Sequence, residues 1–294
     1  MKVLVIGKID INYLAKKLSN VTFTKNKTEK DIVGIIIRNT NFLVNQEFLE
    51  PYTQLKFIFT ATTGTDNFDI SYLKSKNIIL KNTPGLSSRS VAELVLGLLL
   101  TGTRKIAKAD KILNNGLWQR ERLVGNELQN KKIGIVGLGL IGSELAKILN
   151  ALEMQVLGYD SLFKGEDYQK INVTQTNNLS DLSKKCNYLV IIVPKNKYTT
   201  GMVGLDVINN LQKPSGLINS ARGGVVVEDD VITSINQGNL GFYASDVFED
   251  EPLVHKDMLN RNKIVKTPHI GANTVEAQQR ILDMIISYVV DFEK

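Results

Sequence analysis

Short apolar runs separated by polar, helix-compatible segments set the rhythm of the chain. From residue 1 to about residue 82 the runs fall at 3–6, 33–37, 57–59 and 78–80. Alternation on this scale predicts a parallel sheet with covering helices, a small α/β domain. The rhythm resumes at 133–136, which enters the glycine pattern Gly137, Gly139, Gly142, and continues through a helix-like segment at 143–154 and a second run at 155–159 that ends on Asp160. Further runs at 188–193, 216–220, 241–247 and 263–267 predict a second, doubly wound sheet. The fold class is therefore α/β with parallel-sheet domains. Between the two series, Asn82-Thr83-Pro84-Gly85 is turn chemistry and a candidate linker. Ser90-Val91-Ala92-Glu93 reads as a capping box opening a helix that carries Val91, Leu94, Val95, Leu96, Leu98, Leu99 and Leu100 on almost every side. Residues 171–180 are polar and read as a surface loop.

The stretch 131–160 is a β-α-β unit whose glycines have separate jobs. Gly137 permits the tight turn, Gly139 admits a pyrophosphate close to the backbone, and Gly142 lets the helix pack closely on the strand. Phosphates would sit at the helix N-terminus, where unpaired N–H groups and the helix dipole favour negative charge. Asp160 is placed to accept hydrogen bonds from a ribose 2′-hydroxyl and to repel a 2′-phosphate, so the dinucleotide implied is NAD rather than NADP. The bland alternative is a tight turn in some other α/β protein.

Length and composition narrow the classes. A chain of 294 residues exceeds what one core usually serves, which favours two domains. The net charge of +6, from 36 basic and 30 acidic residues, is spread without a basic block or aromatic-basic interleaving, so it suggests a small anionic substrate as readily as nucleic acid, and nucleic acid is the weaker reading. The single cysteine, Cys186, excludes an internal disulfide and a multi-cysteine metal site; it fits a reducing cytosol and reads as a buried, inert thiol. No metal site is read. The opening apolar run is too short for a signal peptide, and the longest one, 94–100, is too short to span a bilayer.

Polar residues at strand ends are the candidates for chemistry, because ligands of such sheets lie beyond the carboxyl ends of the strands. Arg222 lies in Asn219-Ser220-Ala221-Arg222-Gly223-Gly224, Glu251 in Asp246-Val247-Phe248-Glu249-Asp250-Glu251-Pro252, and His269 in Thr267-Pro268-His269-Ile270-Gly271-Ala272. Each has an ordinary reading: a surface salt-bridge arginine, a solvated glutamate, a structural histidine. Together they supply what hydride transfer to a 2-keto acid needs: a cation for the carboxylate, an acid for the carbonyl oxygen and a carboxylate partner for that acid. The segment Ala61-Thr62-Thr63-Gly64-Thr65-Asp66-Asn67 is either an anion-cradling loop or a plain strand-to-helix turn. His255 is read as structural.

The order of these motifs resembles the D-isomer-specific 2-hydroxyacid dehydrogenases, within them the phosphoglycerate dehydrogenase type. The resemblance runs through the Thr63 to Asn67 loop, Asn82-Thr83-Pro84, Ser90 to Glu93, Gly116-Leu117-Trp118-Gln119-Arg120, the glycine fingerprint and the three segments holding Arg222, Glu251 and His269. It implies a Rossmann NAD-binding domain at 85–273 inserted into a smaller flavodoxin-like substrate domain made of 1–84 and 274–294, dimerisation through the cofactor domain, and a cytoplasmic NAD-dependent oxidoreductase. By the same resemblance Arg222 orients substrate, His269 donates the proton and Glu251 holds His269; Thr62, Thr63 and Gly64 bind substrate; and Thr83, Leu140, Ile141, Asp160, Val193, Pro194, Ser220, Ala221, Asp246, Gly271 and Ala272 contact the cofactor.

The resemblance also has departures. Phosphoglycerate dehydrogenases usually carry an arginine just ahead of the substrate loop, where this chain has Thr60, and Thr62 stands where a glycine is common. Arg38, Arg89, Arg120 and Arg122 remain as candidate phosphate partners, so 3-phosphoglycerate is one candidate substrate among several. The end of the chain at Lys294 leaves no room for a regulatory domain after the last helix. Competing readings are an NAD-responsive corepressor-like interaction protein and a glyoxylate or hydroxypyruvate reductase; an NADP-linked form of the latter is disfavoured by Asp160.

Overall fold

The structure is a computed structural model that describes residues 1–38 and 42–294. The chain divides into two compact units, the first made of Met1–Ser87 with Asn273–Lys294 and the second of Ser88–Ala272.

In the first unit β1 (Lys2–Ile6), β2 (Thr22–Thr24), β3 (Gly34–Ile37), β4 (Phe57–Thr60) and β5 (Ile79–Lys81) form one sheet in the order β2-β1-β3-β4-β5. Every pairing is parallel. The central strands β3 and β4 are buried throughout, as expected where both faces of a parallel sheet are covered. One face packs under the helix Val275–Glu293, which buries Ala277, Ile281, Ile285 and Val289 at a spacing of four and meets Phe57 and Phe59 of β4. Ile281, Ile285 and Val289 each contribute about 1.5–3 kcal/mol through burial. The helix starts at Thr274, whose hydroxyl accepts the Ala277 N–H at 3.2 Å.

The second unit contains β6 (Lys132–Val136), β7 (Gln155–Tyr159), β8 (Thr174–Gln175), β9 (Tyr188–Ile191), β10 (Gly216–Asn219), β11 (Phe242–Ser245) and β12 (Ile264–Lys266), again with every pairing parallel. The order β12-β11-β10-β9-β6-β7-β8 reverses between β6 and β9, so the loops leaving their carboxyl ends diverge and open a crevice there. The helix Ser88–Arg104 lies over this sheet, with Val91, Ala92, Val95, Leu98 and Leu99 buried and Glu93 and Gly97 outside.

Three local expectations are corrected. Ser90 does not cap a helix: the helix begins at Ser88, Ser90 is buried inside it, and Glu93 pairs with Arg89 at 2.6 Å. The exposed Glu93 and Gly97 leave a stripe rather than burial all round. Residues 171–180 are not a surface loop throughout. They contain edge strand β8, with Val173 and Thr176 buried, and lead into the helix Leu179–Lys185. Two residues are too few for alternation to be seen. The helix after the glycine pattern starts at Leu140, three residues before the expected position, because Gly139 serves as its N-cap.

Cys186 is fully buried, and burial pushes its thiol up to about 12, which leaves it unreactive at neutral pH. Among the described residues no helix is long and apolar enough to cross a membrane.

Candidate active site

The glycine loop leaves β6 at the reversal of strand order. Gly137 has φ +94°, and a Cβ there would lie 2.2 Å from the Ile192 carbonyl oxygen, so both backbone and space require glycine. Gly142 meets the loop more than the strand: its Cβ would lie 2.1 Å from the Gly137 carbonyl oxygen, with Ile135 of β6 at 3.4 Å. At Gly139 a Cβ would meet nothing within 4 Å, so this backbone faces open space at the start of the helix Leu140–Ala151. Asp160, at the end of β7, accepts the Leu138 N–H at 2.7 Å and the Leu162 N–H at 2.8 Å. Each oxygen keeps a second lone pair. Val193 and Pro194 follow β9, and Ser220 and Ala221 follow β10, so these residues share the carboxyl edge of the sheet with the glycine loop.

The same edge carries the three residues that stood out for chemistry. After β10, Asn219 accepts the Ala221 N–H at 3.1 Å through its side chain and donates to the Arg222 carbonyl at 3.4 Å, closing a turn that sets the direction of Arg222. Arg222 is half-buried and donates to the Ala221 carbonyl at 2.8 Å. After β12 the chain turns at His269, whose φ of +51° is unusual for a residue with a Cβ.

Asp246 holds that turn. Its carbonyl accepts the His269 N–H at 2.9 Å, and its carboxylate accepts the Thr267 hydroxyl at 2.6 Å and the Ile270 and Gly271 N–H groups at 2.9 Å each. Left-handed backbone at such a residue costs about 1–3 kcal/mol, and four hydrogen bonds from one buried aspartate offset it. Sequence reasoning named Asp246 as a cofactor contact and missed this anchoring, which depends on a separation of more than twenty residues.

His269 and Glu251 meet. Nδ1 of the imidazole lies 2.8 Å from Glu251 Oε2, with the side chains 49% and 36% exposed respectively. The other Glu251 oxygen accepts the Phe248 N–H at 3.0 Å. Burial pushes the Glu251 carboxyl up, but the His269 hydrogen bond and charge, the Phe248 N–H and the positive charge of Arg222 outweigh it and hold the group below the ordinary carboxylate range. Glu251 therefore stays ionised further into acid than a free glutamate. Arg222 contributes electrostatically to this, so the three groups act on one another. With Nδ1 turned to Glu251, Nε2 is the imidazole nitrogen left to exchange a proton with a ligand.

In the first unit, Thr60, Thr62, Thr63 and Thr83 form a hydroxyl network at the carboxyl edge of its sheet. The Thr60 and Thr62 hydroxyls are 2.7 Å apart, Thr62 donates to the Gly64 carbonyl at 2.9 Å, Thr83 N–H donates to the Thr62 carbonyl at 3.1 Å, and Asn82 donates to the Thr63 carbonyl at 2.7 Å. Arg38, which follows β3, is the one arginine among the described residues that is buried; it donates to Asn273 Oδ1 at 3.0 Å. Arg89 is held by Glu93 and Glu144, and Arg120 is an exposed partner of Glu121. Arg122 is exposed. His255 Nδ1 accepts the Asp257 N–H at 3.2 Å and its Nε2 lies 3.5 Å from Asp229, a structural use.

Residues 96–271 match the model of the D-isomer specific 2-hydroxyacid dehydrogenase family, NAD binding domain. The chain belongs to this family. One relative, the D-3-phosphoglycerate dehydrogenase of Methanocaldococcus jannaschii, is 34% identical over 250 residues, which is 85% of this chain and 48% of the relative. The chain spans about half the length of the curated relatives it matches. Among solved structures, D-lactate dehydrogenase from Aquifex aeolicus, complexed with NAD and lactic acid, is similar at 26% identity and a TM-score of 0.87, with 99% of this chain and 95% of that one covered. The NADPH-dependent glyoxylate/hydroxypyruvate reductase of Sinorhizobium meliloti, in complex with NADP and malonate, is 25% identical at a TM-score of 0.84, with 97% and 91% covered. The family's two-sheet parallel α/β architecture is the one found here.

Proposed function

We propose that the protein is an NAD-dependent oxidoreductase that interconverts a D-2-hydroxy acid and its 2-keto acid. The observation that carries this reading is the 2.8 Å contact between His269 and Glu251 on the strand edge that also holds the Arg222 turn and the glycine loop. In this reading residues 88–272 hold the cofactor and the first unit contributes to substrate recognition.

The residues present fit a dinucleotide. The open face of Gly139 admits a phosphate beside the N–H groups of the helix Leu140–Ala151, and the free lone pairs of Asp160 suit ribose hydroxyls. Gly137, Leu140, Ile141, Gly142, Val193, Pro194, Ser220, Ala221, Gly271 and Ala272 line its path, and Thr83 and Asp246 are carried over as further contacts by likeness to the family. When bound, the nicotinamide gives or takes the hydride.

The chain's own residues do the rest. Arg222 grips the substrate carboxylate with two N–H groups and fixes the direction of C2. His269 Nε2 gives its proton to the carbonyl oxygen as it becomes a hydroxyl, and takes it back in the oxidative direction. Glu251 fixes the imidazole in place through Nδ1. Thr62, Thr63 and Gly64 are proposed substrate contacts. Arg38 supports a substrate with an anionic far end, 3-phosphoglycerate being the specific candidate; Thr60 brings a hydroxyl already shared with Thr62, and no charge.

Oxidation of NADH and NADPH is to be followed against hydroxypyruvate, 3-phosphohydroxypyruvate, glyoxylate, pyruvate and branched 2-keto acids. NADH is expected to be preferred at least tenfold, since the hydrogen bonds that Asp160 accepts from the ribose hydroxyls are each worth about 1.5–3 kcal/mol. A preference for NADPH overturns the Asp160 assignment and favours the reading as a reductase like that of Sinorhizobium meliloti. Silence across the whole panel overturns the enzymatic reading.

We also propose a homodimer, formed through the second unit. Its support is the helix Ile106–Asn114, which buries none of its residues, together with exposed Ile106, Leu113, Leu117, Trp118 and Val124; apolar surface concentrated in this way marks an interface. Light scattering is expected to give twice the chain mass, and the mass of one chain refutes the dimer. A cytoplasmic location agrees with a chain that carries a single cysteine, and cell fractionation checks it.

A further inference from the structure

Arg222 and Glu251 come from loops that follow different strands, and the two loops meet at a single peptide group. The segment from Arg222 to Glu228 touches the Phe248–Glu249 peptide at both of its ends. At the near end is Gly223: a Cβ there would lie 1.8 Å from the Phe248 carbonyl oxygen and 2.6 Å from the Glu249 nitrogen, so the loop carrying Glu251 rests directly on the backbone beside Arg222. At the far end is Glu228, 6% exposed at the first position of the helix Glu228–Asn236, whose carboxylate accepts the Glu249 N–H at 3.1 Å.

The stretch between is stiff. Val225 and Val226 are fully buried, and the chain is laced to its neighbour by hydrogen bonds from Val203 N–H to the Val225 carbonyl, from Val227 N–H to the Val203 carbonyl and from Gly201 N–H to the Gly224 carbonyl. In the preceding peptide group, Val247–Phe248, the Phe248 N–H donates to Glu251. Burial and the nearby charges of Glu249 and Asp250 push the Glu228 carboxyl up, against the Glu249 N–H and the charge of His255. A buried acid among acids is a costly way to satisfy one backbone N–H.

We propose that Glu228 and Gly223 are positioning residues, which clamp the Phe248–Glu249 peptide and so hold Glu251, and through it His269, at its working distance from Arg222. This inference rests on the dehydrogenase reading of the site.

Glu228→Ala is expected to lower kcat for 2-keto acid reduction about 10- to 100-fold, since misplacement on the scale of an ångström costs up to that much. The KM for NADH is expected to stay at its wild-type value, because the glycine loop is untouched. Its kcat–pH profile is expected to erode on the acid side, because the Glu251 carboxyl, held low by its present neighbours, takes up a proton at higher pH once it is displaced. Glu228→Gln keeps an acceptor for the Glu249 N–H and is expected to restore both kcat and profile. Should Glu228→Ala not fold, Glu228→Asp, with the same charge and a shorter reach, is expected to show the same changes in weaker form.

The chain has two histidines, so an NMR titration of the imidazoles in a His255→Gln background follows His269 without any substrate. Its imidazole resonances are expected to move in Glu228→Ala and to return to their wild-type positions in Glu228→Gln. Wild-type kcat, pH profile and imidazole titration in Glu228→Ala overturn the proposal, as does Glu228→Gln behaving like Glu228→Ala. A wild-type protein that reduces no 2-keto acid removes the enzymatic reading, while the imidazole titration still tests the clamp.

Discussion

His269→Asn lowers kcat for 2-keto acid reduction by about 10²–10⁴-fold, or about 2.7–5.5 kcal/mol of barrier, while the KM for NADH stays close to wild type. Asparagine is the informative replacement because position 269 has φ +51°, a conformation that asparagine adopts more readily than alanine, so the turn held by Asp246 survives and only the proton donor is lost. Steady-state rates across pH check it. Near-normal turnover in His269→Asn removes the imidazole from the chemistry. Glu251→Gln probes the same proton from the other side. Its carboxylate lies 2.8 Å from Nδ1 and stays ionised into acid, so it holds the ring with Nε2 turned away from it. Without that charge the imidazole loses its fixed partner, and kcat is expected to fall about tenfold or more; unchanged turnover means that Glu251 does not act through the imidazole.

Both sheets could be read from the chain because parallel strands covered on both faces are unbroken apolar runs, as in Gly34–Ile37 and Tyr188–Ile191. The edge strands Thr22–Thr24 and Thr174–Gln175 could not, since they are short, and β2 has no fully buried position and β8 is exposed. Periodicity also could not place the start of the helix at Leu140, which is decided by the conformation of Gly139 and not by any polar side chain that caps. At the candidate site, Arg222, Glu251 and His269 stood out because each follows an apolar run within a turn-forming motif. What tied them together did not stand out. Asp246 and Glu228 act on backbone groups 21 to 25 residues away in sequence, and Glu228 heads an ordinary acidic first turn, Glu228-Asp229-Asp230, that reads as favourable helix electrostatics and nothing more. Partners recruited by tertiary contact leave no local pattern.

Arg222→Leu lowers kcat/KM for the 2-keto acid by about 10²–10⁴-fold, because it removes two charge-assisted hydrogen bonds to the substrate carboxylate and leaves that charge unpaired in a site built for it. Arg222→Lys separates charge from shape: it keeps the cation but not the planar fork, so it recovers part of the loss and falls short of wild type by about tenfold or more. Both variants keep the two hydrogen bonds by which the Asn219 side chain closes the turn, to the Ala221 N–H and the Arg222 carbonyl, while Arg222→Leu also gives up the guanidinium's bond to the Ala221 carbonyl. The loss therefore reads the side chain alone. The guanidinium also helps to hold the Glu251 carboxyl low, so Arg222→Leu lets that group take up a proton at higher pH than in the wild type, and the acid side of the profile erodes as well. Kinetics over a range of substrate concentration and pH distinguish the two effects: loss of the clamp acts at every pH, loss of the field only toward acid. If Arg222→Lys matches wild type, a point charge is enough and the bidentate geometry is not what orients C2; if Arg222→Leu does, the carboxylate is held elsewhere.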